Sequence, residues 1–220
     1  MHQSGRDWVA TKLGSFSTVT KIEVIGEDFM MIHRDASVCG EKPPPFVAGI
    51  ISAKKVTTAE IDAISGKGQQ FDFVVNIPKD GIWEGAAIAK AEGLAIGWGG
   101  IGELMSAIGQ PIVRGFEKKE YGFALQSLHQ HTNVSSITRL YDRLLFIERH
   151  RHAPLTVVLL YEYELTAERV RQARALYGTF SMIARTNPNG GPTKNAREVA
   201  ASLGAEILQW GEFLGLLNKP

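Results

Sequence analysis

The 220-residue chain has a single cysteine, Cys39. No internal disulfide can form, so a fold stapled by disulfides is excluded, and a reducing cytoplasmic setting fits. Cys39 lies in a polar, proline-rich stretch (DASVCGEKPPP) and is not read as a reactive site. No run of eighteen apolar residues occurs, so no membrane-spanning helix is expected. The opening residues, MHQSGRDWVATKLGS, hold no apolar core of the kind a secretory leader needs. There is no Gly-x-x-x-x-Gly-Lys-Ser/Thr loop, so nucleoside triphosphatase activity is not supported. Excess charge is scarce too: 24 Lys and Arg stand against 23 Asp and Glu, a net charge of +1. That balance hides an asymmetry. Residues 1–113 carry −3 and residues 114–220 carry +4. Basic residues gather at Arg114, Lys118 and Lys119 and along Arg143 to His152 (RLLFIERHRH). Arg143, Arg149 and Arg151 are therefore candidates for the phosphate backbone of DNA or RNA, against the plainer reading of a solvated face.

What the chain does have is repetition. Asn76 to Met105 and Asn187 to Leu217 both read as loop, helix, strand, helix. At an offset of 111, Asn76 meets Asn187, Ala89 meets Ala200, Gly93 meets Gly204 and Ile96 meets Ile207. A Trp-Gly pair follows each strand, at Trp98 and Trp210. Upstream, at an offset of 108, Thr58-Ala59-Glu60 meets Thr166-Ala167-Glu168. A repeat of this kind sets the fold before any local assignment does. The expected architecture is α/β: two tandem pseudo-repeats of a β-α-β-α-β-α unit with mainly parallel central strands. Residues 1–113 form the first with an N-terminal hairpin, and residues 114–220 form the second. Residues 46–108 should superpose on 155–217.

Along the chain, a short helix is expected around Asp7 to Leu13. Lys21 to Ile25 and Phe29 to His33 form a hairpin about Gly26-Glu27-Asp28. Residues 35–45 form a loop, because consecutive prolines cannot donate to a ladder. Phe46 to Ala53 and Leu155 to Tyr161 are continuous apolar runs suited to strands covered on both faces. Thr57 or Thr58 caps a helix, with Glu60 close behind. Further helices are expected over Ile82 to Glu92, Ile101 to Ile108, Thr166 to Leu176, Thr193 to Leu203 and Glu212 to Leu217. Strands are expected at Phe71 to Ile77, Leu94 to Trp98, Phe180 to Arg185 and Ala205 to Gln209. Gly93 and Gly204 are expected to end their helices with positive φ. Residues 109–134 read as a junction. Ser135 to Arg149 has apolar residues at helical spacing, yet Leu144 to Ile147 can equally be a strand matching Phe29 to Ile32.

Several features resemble the Mrr-like branch of the PD-(D/E)XK restriction-endonuclease superfamily. They are Phe46 to Lys54 leading into a helix, a strand ending in a polar loop, Thr193-Lys194-Asn195-Ala196-Arg197 opening a helix, Leu203 to Ile207, and Glu212-Phe213-Leu214. The resemblance covers residues 46–108 and 155–217 and implies a restriction-endonuclease-like fold. It also implies a metal-dependent nuclease site: an acid on a hairpin strand, then Glu/Gln-x-Lys on the next. There carboxylates hold Mg²⁺ and the lysine helps activate the attacking water. Here Asp28 stands for the hairpin acid and Lys54 for the lysine, but Ser52 takes the place of the second carboxylate and is a poor ligand for a hard cation. Glu60 is the candidate to replace it. In the second copy the corresponding pair is Leu160 and Glu162, with Asp142 as the acid and no lysine.

Two other groups stand out. His129 with His131 and His150 with His152 are His-x-His pairs, able to chelate a transition metal if each lies on a strand; the plainer reading is exposed histidines. The loops after the middle strands hold Asn76, Lys79, Asn187 and Lys194 and lead into helix N-termini, where an anionic ligand can bind; alternatively they are simple turns. Trp98 and Trp210 are read as core residues rather than stacking platforms. The leading expectation is a nucleic-acid-associated protein built from duplicated, catalytically degenerate nuclease-like units. The alternatives are a small-ligand-sensing or scaffold protein with a pocket between the repeats, and an active Mg²⁺-dependent nuclease.

Overall fold

The structure, a computed structural model, describes residues 5–35 and 43–219, and Cys39 falls outside them. The chain divides into two compact units, Met1–Lys118 and Lys119–Pro220.

In the first unit, α1 (Gly5–Gly14) leads to an antiparallel hairpin, β1 (Val19–Ile25) and β2 (Phe29–Arg34). β3 (Phe46–Ile51) adds antiparallel to β2. Next come β4 (Lys55–Val56), α2 (Thr58–Ser65), β5 (Phe73–Asn76), β6 (Ile82–Trp83), α3 (Gly85–Gly93), β7 (Gly97–Gly99) and α4 (Ile101–Ile108). The five-stranded sheet has the order β1-β2-β3-β5-β7, and its last two pairings are parallel. β4 and β6 form a separate parallel pair.

β3 shows why this is a three-layer unit. Alternate strand residues face opposite sides. Phe46, Ala48 and Ile50 pack with Val9 and Leu13 of α1 and Leu104 and Ile108 of α4. Val47 and Ile51 face the other core, which holds Ile61 and Ile64 of α2 and Ala87, Ile88 and Ala91 of α3. The apolar run thus serves two cores. Thr57 caps α2: its hydroxyl accepts from the Ala59 N–H, and the Glu60 carboxylate accepts from the Thr57 N–H at 2.7 Å.

The second unit repeats this order. α5 (Lys119–His129) is followed by β8 (Val134–Arg139), β9 (Leu144–Arg149) and β10 (Leu155–Leu160). Then come β11 (Glu164–Leu165), α6 (Ala167–Tyr177), β12 (Met182–Arg185), β13 (Gly191–Pro192), α7 (Lys194–Ser202), β14 (Glu206–Gln209) and α8 (Trp210–Leu216). Its sheet order is β14-β12-β10-β9-β8, with β8-β9-β10 antiparallel and β10-β12-β14 parallel. On one face Tyr121, Ala124 and Leu128 of α5 join Phe213 and Leu217 against Val157 and Leu159.

The repeat covers the N-terminal part of each unit as well. From β3 onward one displacement of 109 relates the copies: Phe46 corresponds to Leu155, the N-cap Thr57 to the N-cap Thr166, and Gly97 to Glu206. Before β3 the displacement is 115: Val19 corresponds to Val134 and Arg34 to Arg149, and both hairpins carry a bulge at the same point. The six-residue change falls in the loop before β3, which is longer than the loop before β10.

Several expectations need correction. The central sheets are mixed rather than mainly parallel, because each hairpin joins its sheet. Of the two readings open for Ser135 to Arg149, the strand holds: the segment is a hairpin, β8 and β9, with Leu144 to Ile147 matching Phe29 to Ile32, and its helical spacing arises from a turn at Leu140 to Arg143 that resets the alternation. Residues 119–129, read as junction, form α5. The helix expected from Ile82 begins at Gly85, since Ile82-Trp83 pairs with β4. Gly204 has φ +72, as expected, but the corresponding residue of the first unit is Ala95, at φ 54, and Gly93 is still helical. Offsets of 108 and 111 match identical letters and miss the structural register. Asn76 corresponds to Arg185 rather than Asn187, and Trp98 to Ile207 rather than Trp210.

Candidate functional site

The C-terminal end of a parallel strand beside a crossover is where open α/β sheets expose side chains to ligands. In the first unit a cavity of about 580 Å³ lies there. Its walls come from the start of α1 (Gly5, Arg6), the hairpin turn (Glu27, Asp28), the end of β3 (Ile50 to Ser52), α2 (Glu60, Ala63, Ile64, Lys67) and Ile77. Asp28, Ser52 and Glu60 therefore line one cavity. Lys54 is not among the lining residues; the strand has ended at Ile51, and Lys54 sits on an exposed bend. The lysine that meets Asp28 is Lys67, whose ammonium pairs directly with the carboxylate. Glu60 is committed to the α2 cap. Hydrogen bonds from the Thr57 hydroxyl and N–H hold its carboxyl below the ordinary range, so it is ionised at neutral pH. Arg6 donates to the Gly26 carbonyl and to Asp7.

The second unit places different chemistry at the matching positions. Arg143 replaces Asp28, Tyr121 replaces Arg6, Arg169 replaces Glu60 and Gln172 replaces Ala63. Ser52 and Lys54 correspond to Tyr161 and Tyr163, one residue beyond the expected Leu160 and Glu162. The Arg143 guanidinium lies over the Tyr121 ring, 5.4 Å from its centroid, and 3.7 Å from the Asp142 carboxylate. Burial alone would weaken the hold of Arg143 on its proton, but the field of Tyr121, Tyr177, Asp142 and Glu162 outweighs it, and the group stays charged. The Tyr177 hydroxyl donates to Asp142 at 3.1 Å; burial raises its pKa and the Asp142 charge adds to the effect. Arg169 donates to Glu162 at 2.6 Å and to Gln172 at 3.1 Å. These side chains pair with one another, although the second oxygen of Glu162 is buried without a hydrogen bond among the described residues.

The loop residues are built into the fold. Asn76, buried at the end of β5, accepts from the Ala53 N–H at 2.9 Å and donates to the Ala53 carbonyl at 2.8 Å. The fully buried Arg185 holds the same position at the end of β12 and donates to the carbonyls of Asn187 and Asn189. Asn187 accepts from the Asn189 N–H at 2.9 Å. Lys79 and Lys194 are exposed, Lys194 by 90%, with Glu198 3.8 Å away.

Arg149 corresponds to Arg34, and the two make matching bonds. Arg34 donates to the carbonyls of Pro44, Ile108 and Gln110. Arg149 donates to those of Ala153, Leu216 and Lys219. Each guanidinium ties the end of its unit's last helix to the loop before the central strand. Arg143 is half-buried in its cluster, and Arg151 is exposed. His129 ends α5, His131 follows in a turn, and His150 and His152 lie between β9 and β10, so neither pair lies within a strand. Among the described residues no group of three or more His, Cys, Asp or Glu side chains is arranged to hold a metal ion. Trp98 packs on Trp83 in a core, with ring centroids 5.3 Å apart. Sequence reading missed Lys67, Arg34 and Arg185. The two arginines carry a visible mark, a basic residue closing an apolar strand.

No family model matches the chain, and no curated protein or solved structure matches it.

Proposed function

We propose that the chain is a nucleic-acid-associated protein made of two nuclease-like units that have lost their catalytic sets. One observation carries the reading. Asp28 on a hairpin and Ser52 at the end of the next strand line one cavity, the placement a hairpin acid and strand-borne ligand need, but without the chemistry. A hydroxyl replaces the second carboxylate, Lys67 neutralises Asp28, and Glu60 gives one of its two oxygens to a helix cap. In the second unit Arg143 stands where a cation-binding acid would be required.

Contact with DNA or RNA would fall to cations the fold does not consume. In the second unit Arg143, Arg149, Arg169 and Arg185 serve internal partners, leaving exposed Lys119, Arg151, Arg171, Lys194 and Lys219 as groups to offer to phosphate. Few phosphate contacts mean a shallow salt dependence, since log K falls by about 0.9 per contact for each decade of salt on duplex DNA. Fluorescence anisotropy of a labelled duplex across a salt series tests this. Binding with a slope no steeper than about −4 to −5, made shallower by Arg151→Ala, is expected. Absence of binding at low salt would refute the reading.

A further inference from the structure

The cavity of the first unit is more than the remnant of a lost site, and its second-unit counterpart indicates what it takes. There the matching positions hold an internal cation: the Arg143 guanidinium sits on Tyr121 beside Asp142, and the electrostatic influence of Glu162 also reaches it. The first unit has Asp28 instead of that arginine and keeps an acid, Glu27, at the position of Asp142. Its bulky counterparts are also gone, since Gln172 becomes Ala63 and Tyr161 becomes Ser52. A space of about 580 Å³ lies beside the smaller Ala63 and Ser52.

The charges on its walls have a definite sign. Three carboxylates, Glu27, Asp28 and Glu60, face two cations, Arg6 and Lys67. Lys67 is taken by Asp28, and Arg6 is shared between Asp7 and a carbonyl. Glu27 and Glu60 remain without a cationic partner in the walls, above an apolar floor of Ile50, Ile64 and Ile77. A volume of this size falls in the range of small-molecule sites, which are apolar pockets with a few placed polar groups. We propose that this cavity binds a small organic cation, an ammonium or guanidinium on an apolar stem, supplied from solution where the second unit supplies its own. The stem lies on the isoleucines and the charged head faces Glu27 and Glu60. The inference does not depend on the nucleic-acid reading, because no phosphate-contacting residue takes part.

The test is an NMR titration of the full chain with benzylamine and with benzoate, which share an apolar body and differ in sign. Benzylamine is expected to give saturable shifts at Ala63, Ile64 and Ile77, and benzoate none. Ala63→Gln, which copies the filling residue of the second unit at an exposed helical position, is expected to abolish those shifts. Glu27→Gln, on the exposed turn, is expected to weaken binding by roughly two- to fivefold, the range of a partly solvated charge contact. Equal binding of benzoate, saturable shifts that map elsewhere, or affinity unchanged in Ala63→Gln would overturn the proposal. If Ala63→Gln fails to fold, Glu27→Gln decides, and unaltered affinity there overturns it.

Discussion

Arg34 is almost fully buried, and its guanidinium closes three carbonyls while lying 5.1 Å from the centre of the Phe46 ring. Removing a charged donor strands buried acceptors, which costs far more than the net value of the bonds themselves. Arg34→Met is expected to destabilise the first unit by roughly 2–4 kcal/mol, read from urea unfolding. Arg149→Met, at a more exposed copy of the same position, is expected to cost less. An equal loss in both would show that burial is not what sets the effect. A second pair of residues predicts opposite signs. Gly204 and Ala95 each follow a helix with positive φ. A Cβ at Gly204 meets nothing within 4 Å, so only backbone strain opposes substitution there. Gly204→Val is expected to destabilise by about 1 kcal/mol or more, whereas Ala95→Gly should stabilise by up to roughly 1 kcal/mol. Thermal melts that move the same way in both variants would contradict the assignment.

At the scale of elements, helix N-termini are held by carboxylates. Glu103 accepts from the Gly100 N–H at 3.0 Å, and Glu212 accepts from the Gln209 N–H at 2.9 Å in the matching helix. Burial pushes the Glu103 carboxyl up, but Lys118 and the Gly100 N–H outweigh it, so its pKa is lowered on balance, as is that of Glu60. A carboxyl with a lowered folded pKa stabilises fully above its unfolded value of about 4.3. That contribution is lost as pH falls through the folded value. Urea midpoints measured from neutral pH downward are expected to fall through the acid range, and Glu103→Gln should flatten the fall. A steeper fall in the variant would reverse the sign of this account.

The elements were legible to different degrees for physical reasons. β3 and β10 announce themselves as apolar runs because they are covered on both faces. α5 was missed because its buried residues, Tyr121, Ala124 and Leu128, include a small alanine and are interrupted by Gly122, so the stripe is faint. The β8–β9 hairpin was ambiguous because its turn carries Leu140 and Tyr141, apolar letters where turn formers signal best. The cavity is half legible. Asp28, Ser52 and Glu60 enter through the resemblance to the nuclease superfamily, while Lys67 enters only as part of a helix end and Lys54, on an exposed bend, is not among the lining residues.

On the scale of the whole molecule, duplication explains more than any single motif. Two displacements and one loop change relate every helix and sheet strand of one unit to the other. Letter identity misled by one or two residues because the shared positions rarely keep the same residue. The fold constrains shape and burial at Asn76 and Arg185, not chemistry. The same freedom let the two sites diverge, one towards an open cavity and the other towards a cluster of internally paired charges. A supercoiled plasmid incubated with the protein and Mg²⁺ or Mn²⁺ tests the central claim most directly, because one gel reports binding and cleavage together. The account predicts a retarded band at low salt that returns to the supercoiled position once protein is removed, for the wild type, Lys54→Ala and Glu60→Gln alike. Nicked or linear product from the wild type that disappears in Lys54→Ala or Glu60→Gln would contradict it.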